Sequence, residues 1–226
     1  MNLKESIDNL YTVFSGYIIR GNLRYRSCEC CVSDEEIKLL LSKPLKELSA
    51  NDLNHFMASA ITTFGGVEDY KHFLPRILEL IVDNSDVVDD FLTYEKLNYS
   101  EWLNWNTEEI VALKSFFEAL LINALDKDFE IIDDSISLNL IYNNYERLTE
   151  ILQNSDSKIL LQKIVDEVFN DCYWKVDKEL LNIYASKKIV KKVEQLYFKT
   201  KDKMELNKIA IAYSILENHN ENRNTK

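Results

Sequence analysis

Three of the chain's four cysteines, Cys28, Cys30 and Cys31, fall in one short run, and they are the residues whose type and spacing most directly suggest chemistry. Thiolates are soft ligands and good nucleophiles. The run could therefore hold a zinc ion, with a histidine such as His55 or His72 completing a tetrahedron, or it could present a reactive thiol. Structural zinc usually draws paired cysteines from two separate hairpins, and the adjacency of Cys30 and Cys31 departs from that pattern. The competing reading is three small side chains packed beside a helix start. Cys172 lies on an apolar stripe and reads as core.

A second group is Asp69, His72 and Arg76, with Glu68. If one helix ran through Pro75, Glu68, His72 and Arg76 would stack at spacings of four, placing acid, imidazole and guanidinium on one face. Such a trio could do acid–base work or hold an anion, and it is equally the composition of a local ion-pair network. A third group is aromatic. Tyr94, Tyr99, Trp102 and Trp105 could anchor a protein interface or fill a satellite core under a loop.

The elements that position these residues are predicted to be helices. Four glycines and two prolines, none beyond Pro75, leave no hairpin turns for a sheet. An opening helix over 3–19 would bury Ile7, Leu10, Tyr11, Phe14 and Ile18. Ser33 with Glu36 and Ser49 with Asp52 are capping boxes, starting helices over 34–41 and from residue 50. Leu53, Phe56, Met57, Ala60, Ile61 and Phe64 then recur at helical spacing until Gly65 and Gly66 stop the helix. The next helix starts near Val67, and Pro75 is expected either to kink it or, the favoured reading, to open another at its first position. Residues 86–97 read as helix and 94–106 as a connector. Thr107 is the expected cap of a helix over 108–125. Further helices are expected over 138–152, over 158–173 behind a Ser157 cap, and over 178–184, 188–198 and 203–216. A short β-like stretch is considered at 129–136. The resulting expectation is an all-α protein of about ten helices, either a single irregular bundle or an array loosely like HEAT repeats. It is taken as a single domain over 1–226, with a soft boundary near 83–107 and a frayed polar tail over 218–226.

Composition narrows the function classes. Hydrophobic content of 46% with 29% charge is globular. The net charge of −11 sits in the middle third, where residues 83–156 carry 17 acidic and 4 basic side chains. A field of that sign disfavours nucleic acid and anionic membrane and favours a basic partner, or it only keeps the surface solvated. Glu5 and Asp8 interrupt any secretory signal and no apolar run reaches membrane-spanning length, so a cytoplasmic location with free thiols is expected. The phosphate-cradling, zincin and nucleophile-elbow motifs are absent.

The run Cys28-Glu-Cys-Cys31 together with Asp69-Tyr-Lys-His-Phe-Leu-Pro-Arg-Ile-Leu-Glu79 resembles a family of bacterial all-α proteins that share a Cys-x-Cys-Cys cluster and a D-aromatic-basic-H-F-L-P-R segment. The resemblance covers roughly the first 80 residues. It implies a bacterial, cytoplasmic, helical protein without an established activity, and it draws attention to Cys28, Cys30, Cys31, His72 and Arg76.

Two functions of different class follow as expectations. One is a non-enzymatic protein-interaction module, of the immunity or antitoxin kind, that binds a basic partner and needs no cofactor. The other is a small metal- or thiol-dependent protein built on Cys28, Cys30 and Cys31, with zinc as the ion. An enzyme built on Asp69, His72 and Arg76 would need a polar pocket at that helix junction.

Overall fold

The computed structural model describes residues 1–83, 90–125, 145–170 and 178–224. Among these the fold is all-α: α1 (Leu3–Val13), α2 (Asp34–Leu41), α3 (Ala50–Ser59), α4 (Val67–Val82), α5 (Asp90–Tyr99), α6 (Thr107–Ala124), α7 (Tyr145–Asn154), α8 (Lys158–Phe169), α9 (Lys178–Tyr184), α10 (Lys187–Lys199) and α11 (Lys203–Asn224). Short 3-10 turns and two isolated β-bridges connect them, and no strand occurs among the described residues. The β-like stretch considered at 129–136, residues 84–89, residues 138–144 and Cys172 lie outside the described residues. No described helix is long and apolar enough to cross a membrane. The chain divides into two compact units, Met1–Leu120 and Leu121–Lys226, and the division falls within α6 rather than in the 83–107 segment.

The first unit is built on capped helices. Ser33 and Glu36 form both halves of a capping box, as do Ser49 and Asp52, and Asn2 with Glu5 adds a third at the start of α1. Lys43 Nζ, 2.7 Å from Asp52 Oδ2, and the Ser49 amide together hold the Asp52 carboxyl down to about 2. α1 ends at Val13, short of the expected residue 19. A 3-10 turn over Phe14–Gly16 follows, which keeps Phe14 buried but leaves Ile18 60% exposed.

Two other helix ends differ from expectation. α3 stops at Ser59, because Ala60 turns extended and Ile61 takes φ 69, the left-handed region that a β-branched residue rarely adopts. The tight turn lets Ala60 and Phe64 reach the core, both essentially inaccessible. Gly65 also has a positive φ, and an added Cβ would meet Asp69 at 3.0 Å, so glycine is required there. α4, by contrast, runs unbroken through Pro75. An internal proline costs a helix about 3 kcal/mol. On α4 it is flanked by Phe73, Leu74, Ile77 and Leu78, none more than 1% exposed, and side chains of that size each contribute about 1.5–3 kcal/mol on burial. The core outweighs the local penalty. Phe56 packs edge-on against Phe64 and Phe73, at 5.2 and 4.6 Å between ring centroids, and ties α3 to α4.

α5 extends to Tyr99, so half of the expected 94–106 connector is helical. The cap of α6 is Asn106 and not Thr107: its Oδ1 accepts the Glu109 amide at 2.9 Å, and Glu109 reaches back to the Asn106 amide at 3.3 Å.

In the second unit α8, α10 and α11 pack on one another around Ile164, Val168, Ile189, Val193, Ile209 and Leu216. Ser157 caps α8 as expected, its Oγ accepting the Leu160 amide at 3.2 Å and donating to the Leu125 carbonyl at 2.7 Å. α11 continues to Asn224 in place of a tail frayed from 218, and His219 Nε2 lies 2.8 Å from Asn182 Oδ1.

Candidate functional site

The cysteine run sits on a short turn between the 3-10 helix Leu23–Arg26 and α2. Leu23 and Val32, both fully buried, pin its two ends to the core. Between them the chain folds back: the Cys31 and Val32 amides both donate to the Cys28 carbonyl, at 3.3 and 3.1 Å. The Cys28 amide donates to the Thr63 carbonyl at 2.8 Å, and Ser27 pairs with Phe64, so the turn docks on the loop that follows α3. Arg24 clamps it from the other side, with Nη1 2.6 Å from the Val32 carbonyl and Nη2 3.3 Å from that of Cys28. Every one of these contacts is made by backbone or by Arg24, so the thiols take no part in holding the loop.

The consequence is convergence. Cys28 Sγ lies 3.0 Å from Cys30 Sγ, which lies 3.7 Å from Cys31 Sγ, and all three sulfurs fall within 4.8 Å of one another. All are free thiols; Cys28 is half-buried and Cys30 and Cys31 are exposed, which sets aside the reading of small side chains packed in a core. Hydrogen bonds from Cys30 and then Cys31 stabilise the Cys28 thiolate and bring its pKa down to about 7, while the bonds of Cys31 with Cys28 and then Cys30 push the Cys31 thiol up to about 11. Of the two shifted thiols, Cys28 is thus the one that ionises first.

Neither histidine completes the set. His55 Nδ1 is 2.6 Å from Glu36 Oε1, and His72 Nδ1 is 2.7 Å from the Tyr17 carbonyl, which can only accept. Glu36 is itself occupied by the Ser33 cap.

Asp69, His72 and Arg76 share the continuous α4 but do not converge. Asp69 takes a two-pronged bond from Arg26, at 2.8 and 2.7 Å, and caps the Gly66 amide at 2.8 Å. Arg76 donates to the Leu48 carbonyl at 2.7 Å and to Glu79 at 2.6 Å, and Glu79 also accepts the Tyr11 hydroxyl. Each member grips a different segment of the first unit, the arrangement of a docking network. The aromatic group divides as well. Tyr94 and Trp102 are buried, Trp105 Nε1 donates to the Ser100 carbonyl at 3.1 Å, and Tyr99 and Leu103 are exposed, at 64% and 54%.

A buried ionic group appears that the sequence did not announce. Lys71 Nζ lies 2.9 Å from Glu109 Oε2, 3.1 Å from the Tyr17 hydroxyl and 4.3 Å above the Trp105 ring. Burial opposes the Lys71 charge, but the bonds to Glu109 and Tyr17 prevail and its pKa is raised. The one available signal was the Asn106-x-x-Glu109 spacing of a capping box. A cleft of about 300 Å³ in the second unit, lined by Ile122, Leu125, Ile151 and the paired Arg147 and Glu150, presents none of the predicted site residues.

Comparison with protein-family models, with curated proteins and with solved structures finds no match to this chain.

Proposed function

We propose that the first unit is a thiol site that binds a soft metal ion through Cys28, Cys30 and Cys31. The observation that carries this reading is the convergence of three free sulfurs within 4.8 Å on a turn held in place by other groups. Sulfur atoms bound to one zinc ion at about 2.3 Å stand roughly 3.8 Å apart, so closing the triangle around an ion needs only small side-chain rotations. A loop preformed by Arg24 and by backbone bonds spares the ordering cost that a flexible loop would incur on binding. Because metals bind thiolates, loading releases protons and strengthens as pH rises. The test is protection: one equivalent of a soft ion, zinc or Cu(I) supplied anaerobically, should slow alkylation of Cys28, Cys30 and Cys31 together, as resolved by peptide mass. Protection of one cysteine alone, or of none, under both ions contradicts a shared site.

A second reading, a non-enzymatic module of the immunity or antitoxin kind that binds a basic partner, is supported by the exposed Tyr99 and Leu103 and by the acidic middle third. It predicts a stoichiometric basic chain bound to the protein taken from its own cells. Binding that survives both Tyr99→Ser and charge reversal of the acidic residues within 83–134 would refute it.

A further inference from the structure

We propose that the ion suited to this site is monovalent copper, held by three sulfurs and exchangeable with external thiols; the proposal rests on the metal-binding reading above and names the ion. The ligand count is the first reason. Zinc in structural sites takes four protein ligands, and among the described residues no histidine, aspartate or glutamate joins the three sulfurs. Glu29, inside the turn, stays out of the group, and both candidate histidines are held elsewhere, His55 by Glu36 and His72 by Tyr17. A soft closed-shell ion that is satisfied by thiolates alone fits what is present.

Spacing is the second reason. The turn brings three sulfurs together on a single loop, at sulfur–sulfur distances of 3.0 and 3.7 Å, with no fourth donor grouped with them among the described residues. A flat three-sulfur arrangement asks nothing of the opposite face, whereas a tetrahedron would need a fourth group there. Exposure is the third. Cys30 and Cys31 stand in solvent, so an incoming thiolate can attack the bound ion directly and displace one ligand at a time. In that transfer the ion keeps its charge and oxidation state, one Cu–S bond forms as another breaks, and no oxidant or reductant is required.

The experiment is an anaerobic competition on the full chain. Cu(I) is supplied as its complex with a coloured chelator, in the presence and absence of excess zinc, and the loaded protein is examined by X-ray absorption at the copper edge. The expected result is one copper per chain, a shell of three sulfurs with no nitrogen or oxygen, retention of copper against zinc, and loss of binding in Cys28→Ser and Cys30→Ser variants. Return of the copper to added glutathione without prior unfolding is expected as well. Zinc displacing copper, or a four-ligand shell that includes oxygen or nitrogen, overturns the copper assignment and leaves metal binding standing. Binding of neither ion overturns both.

Discussion

Near neutral pH Cys28 should react with a small disulfide probe faster than an ordinary cysteine, and in mild alkali more slowly. With its pKa brought down to about 7 by the thiols of Cys30 and Cys31, roughly half of Cys28 is thiolate at pH 7, against about 3% for a thiol near 8.5. That is an advantage of about 16-fold. A thiolate of lower pKa is also a weaker nucleophile, and a Brønsted slope of about 0.4–0.5 over about 1.5 pK units removes about fivefold. The net expectation is about threefold faster exchange at pH 7. At pH 9 both thiols are mostly ionised, only the nucleophilicity term remains, and Cys28 should lag by about fourfold, with the two profiles crossing near about pH 8. The assay is the rate of mixed-disulfide formation at Cys28, followed by peptide mass against a cysteine tripeptide from pH 6 to 10. Cys30→Ala with Cys31→Ala removes the donors and should restore the ordinary profile. A single inflection near pH 8.5 at Cys28 in the unaltered protein would refute the stabilisation of its thiolate by Cys30 and Cys31.

Three further expectations concern the frame around the site. Asp69→Ala removes the two-pronged bond to Arg26 and the cap on Gly66. With Arg26 37% exposed, the loss should be about 2–3 kcal/mol, a fall of about 5–10 °C in Tm by calorimetry, and a change under about 1 kcal/mol would argue against a docking role. Glu109→Gln strands the buried Lys71 charge and should cost about 3–5 kcal/mol in urea unfolding, whereas Lys71→Met with Glu109→Leu together should come close to the parent; equal damage by both variants would contradict this. For Asp52 the folded carboxyl is depressed to about 2, so its contribution is full above about pH 4 and is lost as pH falls toward about 2. Asp52→Asn should therefore be less stable than the parent at pH 6, with the gap closing between about pH 4 and 2, and a gap independent of pH would refute the assignment.

The parts of this protein legible in the sequence were those set by neighbouring residues. The capping boxes at Ser33 and Ser49, the Ser157 cap and the absence of hairpin glycines led to the all-α fold. Where tertiary packing competed with local preference, local preference lost. Pro75 stays inside α4 because its flanks are buried, and Ile61 takes the left-handed turn expected of a glycine because Ala60 and Phe64 must reach the core. The site shows the same limit. The types of Cys28, Cys30 and Cys31 were visible, but their convergence depends on Arg24, on the Cys28 carbonyl and on Thr63, and on no rule of spacing. Asp69, His72 and Arg76 had the composition of a site, and only the positions of Arg26, Tyr17 and Leu48 show each committed to a different segment.

The measurement that bears most directly on the central claim is native mass spectrometry of the untagged chain, loaded anaerobically with zinc or Cu(I) and compared with its denatured mass. The expected result is the added mass of one ion per chain, lost in each of Cys28→Ser, Cys30→Ser and Cys31→Ser and retained in Asp69→Asn, which keeps the thiols. An unchanged mass under both ions, or an added ion that survives all three serine substitutions, would contradict a shared three-thiol site.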